Sequence, residues 1–181
     1  MSDWLETATG NRISRAARLL GTDKISIGGN CSINENVLIS GDVTLNEPKQ
    51  QYAIQFGKYC YLGSNCQIIP PILKKAADSD SETLHGPQSI GAYVIIGQNS
   101  IIKSSNIGNR VLIEENSILE DLSIVYECCV IREGTIIPPK MVIPPYSEVS
   151  GIPGKDFQIR SLHNSYKKSI EIEAKQLQIL G

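Results

Sequence analysis

Residues 107–149 read IGNRVLIEENSILEDLSIVYECCVIREGTIIPPKMVIPPYSEV, and an aliphatic residue occupies every sixth position of this stretch. These positions are Ile107, Ile113, Leu119, Val125, Ile131, Ile137, Ile143 and Val149. A step of six matches neither the 3.6-residue period of an α-helix nor the two-residue alternation of a β-strand. The stretch therefore predicts a structural repeat whose unit is six residues long.

The same phase is present earlier in the chain. Its apolar positions form two shorter blocks, which are Ile27, Ile33, Ile39 and Leu45, then Phe56, Leu62 and Ile68. Ile90, Ile96 and Ile102 lead into the long block through one five-residue step to Ile107. A small residue often stands four positions after the aliphatic, as at Cys31, Cys60, Cys66, Ser117 and Cys129. Glycine often follows the aliphatic directly, as at Gly28, Gly57, Gly63, Gly91, Gly97 and Gly108. We expect these glycines to permit the positive φ of a tight corner.

Three six-residue units close one triangular coil of 18 residues. Each unit supplies a short strand and a corner, and its aliphatic side chain points inward to stack on the equivalent side chain of the next coil. The expected columns include Ile107, Val125 and Ile143 in one, and Ile113, Ile131 and Val149 in another. Each buried aliphatic side chain contributes roughly 1.5–3 kcal/mol to folding. The sequence thus predicts an all-β, single-stranded parallel β-helix.

Two segments interrupt the repeat, at residues 46–55 and 70–89, and we expect both to be loops ejected from a solenoid of residues 1–154. Beyond it the apolar period becomes helical, so residues 155–181 are predicted to form a C-terminal α-helix packed on the solenoid. The apolar stripe of this helix is Ile159, Leu162, Tyr166, Ile170, Ala174, Leu177 and Leu180. Ile172 and Ile179 fall on the opposite side, as ordinary surface residues or as a contact with another subunit.

Composition narrows the function classes. The formal net charge is −2 and lysine and arginine are not clustered, so nucleic acid is not an expected partner. No apolar run approaches the roughly 20 residues that cross a bilayer, and we expect no direct membrane insertion. The N-terminal residues lack the features of a signal peptide, and five cysteines make an odd number. We expect a cytoplasmic protein with reduced thiols.

Few residues of this sequence are candidates for catalysis or metal binding. A zinc site for carbon dioxide hydration in such a solenoid needs three histidines, and the chain has only His85 and His163. His85, in the second ejected loop, is the one candidate general base for an acyltransferase, which is the alternative function. Cys31, Cys60, Cys66 and Cys129 occupy the small inward position, where cysteine acts as a compact apolar residue. We expect no catalytic residues, no metal site and no cofactor.

A family resemblance rests on several stretches in order. They are residues 6–15, Ile68-Ile69-Pro70-Pro71 with Lys74-Lys75, Ile107-Gly108-Asn109, residues 136–146 (IIPPKMVIPPY) and Ser150-Gly151. Two Pro-Pro corners one repeat apart are the most specific part. These stretches resemble the dynactin subunit 5 family of hexapeptide-repeat proteins. The resemblance implies the left hand of the coil, since composition and spacing do not determine it.

The resemblance also implies a role. It predicts a non-enzymatic, cytoskeleton-associated scaffold subunit of the dynactin pointed-end complex, which links dynein and dynactin to cargo. The implied partners are dynactin subunit 6 (a second β-helix), dynactin subunit 4, the pointed-end actin-related protein and cargo adaptors. Lys74 and Lys75 join Ile172 and Ile179 as candidate interaction residues.

Overall fold

The computed structural model describes residues 3–180, so the outermost residues of the predicted segments 1–154 and 155–181 lie outside it. Its first twelve strands are β1 (Trp4–Glu6), β2 (Arg12–Ser14), β3 (Arg18–Leu20), β4 (Ile25–Ile27), β5 (Ser32–Ile33), β6 (Leu38–Ser40), β7 (Ile54–Phe56), β8 (Tyr61–Leu62), β9 (Gln67–Ile68), β10 (Ile72–Lys74), β11 (Leu84–His85) and β12 (Gln88–Ile90). The next eleven are β13 (Ile95–Ile96), β14 (Ile101–Ile102), β15 (Asn106–Ile107), β16 (Leu112–Ile113), β17 (Ile118–Leu119), β18 (Ile124–Val125), β19 (Val130–Ile131), β20 (Ile136–Ile137), β21 (Val142–Ile143), β22 (Ser147–Ser150) and β23 (Gln158–Ser161). A 3-10 turn spans Thr22–Lys24, and helix α1 spans Tyr166–Leu180.

Apart from the hairpin of β10 and β11, the strands form three sheets, which are the three walls of a solenoid. Pairing within the walls is parallel except for β1 and β23 at the two ends of wall A. Wall A has the order β1-β2-β5-β8-β13-β16-β19-β22-β23, wall B has β3-β6-β9-β14-β17-β20, and wall C has β4-β7-β12-β15-β18-β21. Each coil contributes one strand to each wall, in the order A, B, C. This topology is the predicted parallel β-helix.

The predicted columns are present in the core. Ile107 pairs with Val125 and Val125 with Ile143, while Ile113 pairs with Ile131 and Ile131 with Val149. All eight aliphatic positions of residues 107–149 are at most 1% exposed. Within residues 107–149 the six-residue period therefore identified the inward side chains correctly.

The prediction that the corner glycines have positive φ is wrong. Positive φ occurs just before the small inward residue, most often at asparagine, as at Asn36, Asn65, Asn99 and Asn116. The six predicted corner glycines do not have positive φ. Instead, a Cβ at Gly97 would come within 2.6 Å of the Glu115 nitrogen on the next coil. Glycine is required there because stacked coils approach closely.

The loops differ in detail from the prediction. The chain leaves the second coil after Ser40 and returns at Ile54, so Leu45 lies in the first loop and not in a wall. It pairs there with His85 of the second loop, which contains the antiparallel hairpin β10–β11. The neck of this second loop is held by buried Gln88, whose Nε2 donates to the carbonyls of Ile69, Ile102 and Ser104 at 3.1, 3.2 and 2.9 Å.

Both ends of wall A are closed by antiparallel strands. Strand β1 pairs with β2 at one end, and β23 pairs with β22 at the other. Residues 158–161 were predicted as helix, and this is wrong. Ile159 pairs with Val149 and is 42% exposed, so it does not belong to the apolar stripe of a helix. The unpaired edge of β22 stabilises an extended conformation here, and α1 begins only at Tyr166.

Helix α1 packs on the outer face of wall A, as predicted for the C-terminal segment. Ile170 and Ala174 are buried against Tyr93, Ile95 and Val130. Leu162 is also buried there, although it precedes the helix. No helix within residues 3–180 has the length and apolar character that a bilayer crossing requires.

Candidate interaction surfaces

The interior of the solenoid is filled by apolar side chains and small corner residues. Cys31, Cys60, Cys66 and Cys129 are at most 2% exposed and belong to the central core. Burial raises the pKa of Cys66 and of Cys129 to about 11. A hydrogen bond shared with Cys31, together with burial, raises the pKa of Cys60 as well. The thiols of Cys60, Cys66 and Cys129 are therefore protonated at neutral pH. The prediction that all four cysteines are core residues is confirmed.

His85 lies where the two ejected loops meet. Its backbone N–H donates to the Thr44 carbonyl, and its carbonyl accepts from the Asn46 N–H, each at 2.9 Å. Its Nδ1 lies 2.8 Å from the Pro70 carbonyl oxygen and therefore donates to it. The half-buried His85 joins the loops to each other. His163, which was predicted within the terminal helix, instead precedes it and is exposed.

Lys74 and Lys75 lie on the second loop, at the corner between walls B and C. Lys74 ends strand β10, and both lysines are exposed. The hairpin reaches across neighbouring coils, since the Ile72 N–H donates to Oδ1 of Asp121 at 2.9 Å. The acidic tip beyond the lysines is closed by Ser81, whose Oγ accepts from the Ala77 N–H at 2.8 Å.

Ile172 and Ile179 lie on a different side of the molecule. They are 46% and 79% exposed on the outer face of α1, which covers wall A. The structure therefore does not bring the two lysines and the two isoleucines into one site. It presents two separate surfaces, the β10–β11 hairpin and the helix.

Sequence reasoning missed a cluster of cations around Tyr93. The ring of Tyr59 stacks on that of Tyr93 with centroids 5.5 Å apart. Arg110, Lys58 and Lys175 lie over the Tyr93 ring at 5.3, 5.6 and 5.6 Å. Because Tyr59, Tyr93 and Arg110 all directly precede a small inward residue, the repeat phase itself places them in one corner column.

One carboxylate bridges this cluster to the helix. Glu171 Oε2 accepts from Arg110 Nε at 2.9 Å, and its Oε1 lies 3.3 Å from Lys175 Nζ. The hydrogen bond from Arg110 lowers the pKa of Glu171. The ion pair therefore fixes α1 on the corner column at neutral pH.

A second missed feature is an outward isoleucine ladder. Ile101 pairs with Ile118 and Ile118 with Ile136 along wall B, and all three are partly buried. The signal in the sequence was the aliphatic residue that directly precedes the inward aliphatic. On wall A the equivalent residues Ile95 and Val130 are buried beneath α1.

The C-terminal end of the solenoid is closed. Glu120 N–H donates to the Ile137 carbonyl and Tyr126 N–H to the Ile143 carbonyl, so the residue after each inward aliphatic donates to the next coil. On the last coil these donors are replaced by Pro138 and Pro144, which have no N–H. Such prolines prevent further strand pairing at an edge.

Walls B and C are more open at the N-terminal end, where β1 caps wall A alone. Ile13, Leu19, Ile25 and Ile27 pack against the core but are only partly buried, whereas Ile137, Ile143 and Val149 at the other end are 0% exposed. Strands β3 and β4 are edges of walls B and C. Arg18 and Leu20 form the hydrogen bonds to the second coil, so the peptide groups of Leu19 point away from the solenoid.

Comparison with solved structures confirms the fold. The chain is similar to a hexapeptide transferase family protein from Anaplasma phagocytophilum, with TM-score 0.66, 17% identity and coverage of 94% of this chain and 90% of that one. It is also similar to a putative acetyltransferase from Bacillus cereus, with TM-score 0.59, 20% identity and coverage of 93% and 88%. The expected left-handed parallel β-helix agrees with these similarities.

Comparison of sequences identifies the family. A curated relative, dynactin subunit 5 from Dictyostelium discoideum, is 32% identical over 108 residues, which are 60% of this chain and 48% of the relative. The matched region is thus about half the length of that relative. The family model of dynactin subunit 5 matches residues 1–167. This match covers the whole solenoid and ends near the start of α1, and it shows that the chain belongs to the dynactin subunit 5 family.

Proposed function

We propose that this chain is a non-enzymatic scaffold subunit of the dynactin pointed-end complex. In this role it assembles with a second β-helix (dynactin subunit 6), dynactin subunit 4 and the pointed-end actin-related protein. Through these partners and cargo adaptors it links dynein and dynactin to cargo in the cytoplasm. Family membership supports a place in dynactin. Assembly with a second β-helix is supported by the difference between the two ends of the solenoid.

The open N-terminal end is the observation that carries the proposal. It combines partly buried apolar side chains with backbone groups of Leu19 that face away from the coil. Hydrogen bonding alternates along β4 in the same way. The peptide groups of Ser26 bond to strand β7, so the peptide groups of Ile27 point away from the second coil. A second β-helix stacked on this end would cover the side chains and pair the edge groups. The prolines of the last coil disfavour the same contact at the other end.

Hydrogen–deuterium exchange tests this arrangement without altering the chain. Amide exchange is measured for the purified chain alone and after addition of the second β-helix subunit. We expect the amides of Leu19 and Ile27 to become protected, because they pair with the added coil. The Val142 amide, on the opposite edge, is the internal control and keeps its rate. Protection at Val142 without protection at Leu19 and Ile27 would reverse the proposed orientation.

The alternative function is acyl transfer with His85 as general base. The similar solved structures are related to transferases, but fold alone does not choose an activity. The contacts of His85 with Thr44, Asn46 and Pro70 are explained by its joining of the two loops. Calorimetric titration with acetyl-CoA is expected to show no binding. Binding accompanied by acetyl transfer that His85→Asn abolishes would favour the alternative.

A further inference from the structure

The outer face of α1 carries an unusual stripe. Lys168, Ile172, Lys175 and Ile179 follow each other at spacings of four, three and four, which places them on one side of a helix. All four are exposed or partly exposed, and the two isoleucines are 46% and 79% exposed. The solvent side of a surface helix is ordinarily polar throughout, so two isoleucines there need a reason. The stripe extends over about 16 Å, or three helical turns.

The helix presents this stripe on a rigid base. Ile170 and Ala174 are 1% exposed and anchor the opposite side of α1 on wall A. Near the C-terminal end of the helix, Gln178 Nε2 donates to the Gly10 carbonyl at 2.8 Å. Its Oε1 accepts from Ser32 Oγ at 2.7 Å. The stripe is therefore held in place before any partner binds, which reduces the entropy lost on binding.

The surroundings of the stripe are cationic. A shallow cleft of about 410 Å³ beside Ile172 is lined by Asn164, Lys167, Lys168, Glu171, Ile172 and Lys175. Arg110 and Lys58 continue the positive charge around Tyr93. The one carboxylate lining the cleft, Glu171, already contacts Arg110 and Lys175. Because the whole chain has a formal charge of −2, this local excess of cations sets the surface apart.

We propose that the outer face of α1 docks an acidic amphipathic helix of a partner protein. Its apolar residues contact Ile172 and Ile179, while its carboxylates pair with Lys168 and with the cations around Tyr93, which include Lys175. This binding mode is common for helices that lie in shallow grooves, with anchors at spacings of three and four. Charge complementarity selects the acidic partner over a basic one. The inference rests on the proposed scaffold role, since it assigns a surface to a partner other than the second β-helix, which stacks on the N-terminal end of the solenoid.

A membrane is a poorer occupant. Helices that bind bilayers bury a wide apolar face among the lipids. The wide apolar face of α1 is already occupied by the solenoid, since Ile170 and Ala174 are buried there. Two isoleucines separated by lysines leave little apolar area for insertion.

Photo-cross-linking in living cells tests the proposal. A photoreactive amino acid replaces Ile172 in the full-length chain, and position 142 on the far edge of the solenoid is the control. We expect cross-links from position 172 to a protein segment with Asp and Glu among apolar residues. Cross-links to a second copy of this chain, to a basic segment, or to no protein would overturn the inference. Because cross-linking precedes purification, an acidic partner from outside dynactin would contradict the proposed function while supporting the docking surface.

Charge-reversal variants of the two lysines provide a second test. Lys168→Glu with Lys175→Glu is expected to lower the cross-linking yield at position 172 at least tenfold, whereas Lys168→Arg with Lys175→Arg retains it. Association with the second β-helix subunit is expected to be unchanged in both variants, which excludes misfolding. Binding to vesicles of phosphatidylserine and phosphatidylcholine is the remaining measurement. Vesicle binding that Ile172→Ser and Ile179→Ser abolish would assign the surface to a membrane instead and overturn the inference.

Discussion

Ile113 and Ile131 lie in register on neighbouring strands of wall A, and both side chains are 0% exposed. They are 18 residues apart in the chain, which is one full coil. Their contact shows that the six-residue phase of the sequence is a geometric property of the solenoid. A side chain in this column therefore affects the packing of the coil on each side.

Replacement of Ile131 by asparagine tests this packing. The change removes a buried aliphatic group and buries an amide, and we expect a loss of about 3 kcal/mol or more in the free energy of unfolding. Arg132→Asn is the control. The Arg132 side chain is 34% exposed and its ion pairs with Glu148 and Glu114 are near the surface, so the expected loss is below about 1 kcal/mol. Equal losses in urea denaturation would mean that the phase is wrong.

The corner glycines give a second prediction. In Gly97→Ala the new Cβ meets the Glu115 backbone at 2.6 Å, so the coils must separate and the protein loses stability. Gly134 is the matched case, because it has φ +71° and a Cβ added there would meet no atom within 4 Å. Asparagine occupies the equivalent position as Asn116 on the preceding coil. Gly134→Asn is therefore expected to leave the melting temperature unchanged or to raise it. A larger loss in Gly134→Asn than in Gly97→Ala would contradict this account of the corners.

Because its thiols are buried, we expect the stability of the protein to fall as the pH rises in the alkaline range. The pKa of Cys66 is raised by burial from 9.0 to about 11, so the folded protein retains a proton that the unfolded chain loses. This contribution is complete below pH 9 and is lost as the pH rises towards 11. Two pKa units correspond to about 2–3 kcal/mol. We expect Cys66→Ala to have a flatter decline in unfolding free energy between pH 9 and 11. An unchanged slope would show that the thiol is accessible to water.

Helix docking gives a fourth prediction. Ile170→Asn places an amide in the contact between α1 and wall A, where Ile170 is 1% exposed. The helix is expected to detach, with trypsin then cutting near Lys167 and Lys175 at least tenfold faster. The β-sheet circular dichroism signal persists, because the central core does not include the helix. Ile172→Asn, on the exposed side, is the control and retains resistance. Equal cutting rates in the two variants would contradict the packing described here.

The repeat could be predicted because each coil requires apolar side chains at the same inward positions. Ile143 and Val149 are inward for the same reason as Ile107, so one stretch reveals the six-residue period of the solenoid. The repeat was traced only from Ile27, although Ile13, Leu19 and Ile25 already follow the six-residue step within the predicted solenoid. Ile25 and Ile27 both pack against the core from one strand, and the series that begins at Ile27 is therefore shifted by two residues.

The end of the chain could not be predicted from local pattern. Ile159 and Leu162 are three residues apart, which suits a helix as well as a chain that caps a sheet. The free edge of β22 decides between them, and that edge exists only in the folded protein. The exposure of Ile172 and Ile179 was predicted from their helical spacing, and their role as interaction residues stays a prediction. The cations around Tyr93 come from residues far apart in sequence, and only the coil geometry brings Lys58 and Arg110 together with Lys175.

Native mass spectrometry of the tagged chain, purified from its own cells without denaturant, tests the central claim most directly. The account predicts one copy of this chain bound to different subunits, including a second β-helix and an actin-related protein. An assembly of three copies of this chain alone would contradict it, because that stoichiometry leaves no place for the proposed partners.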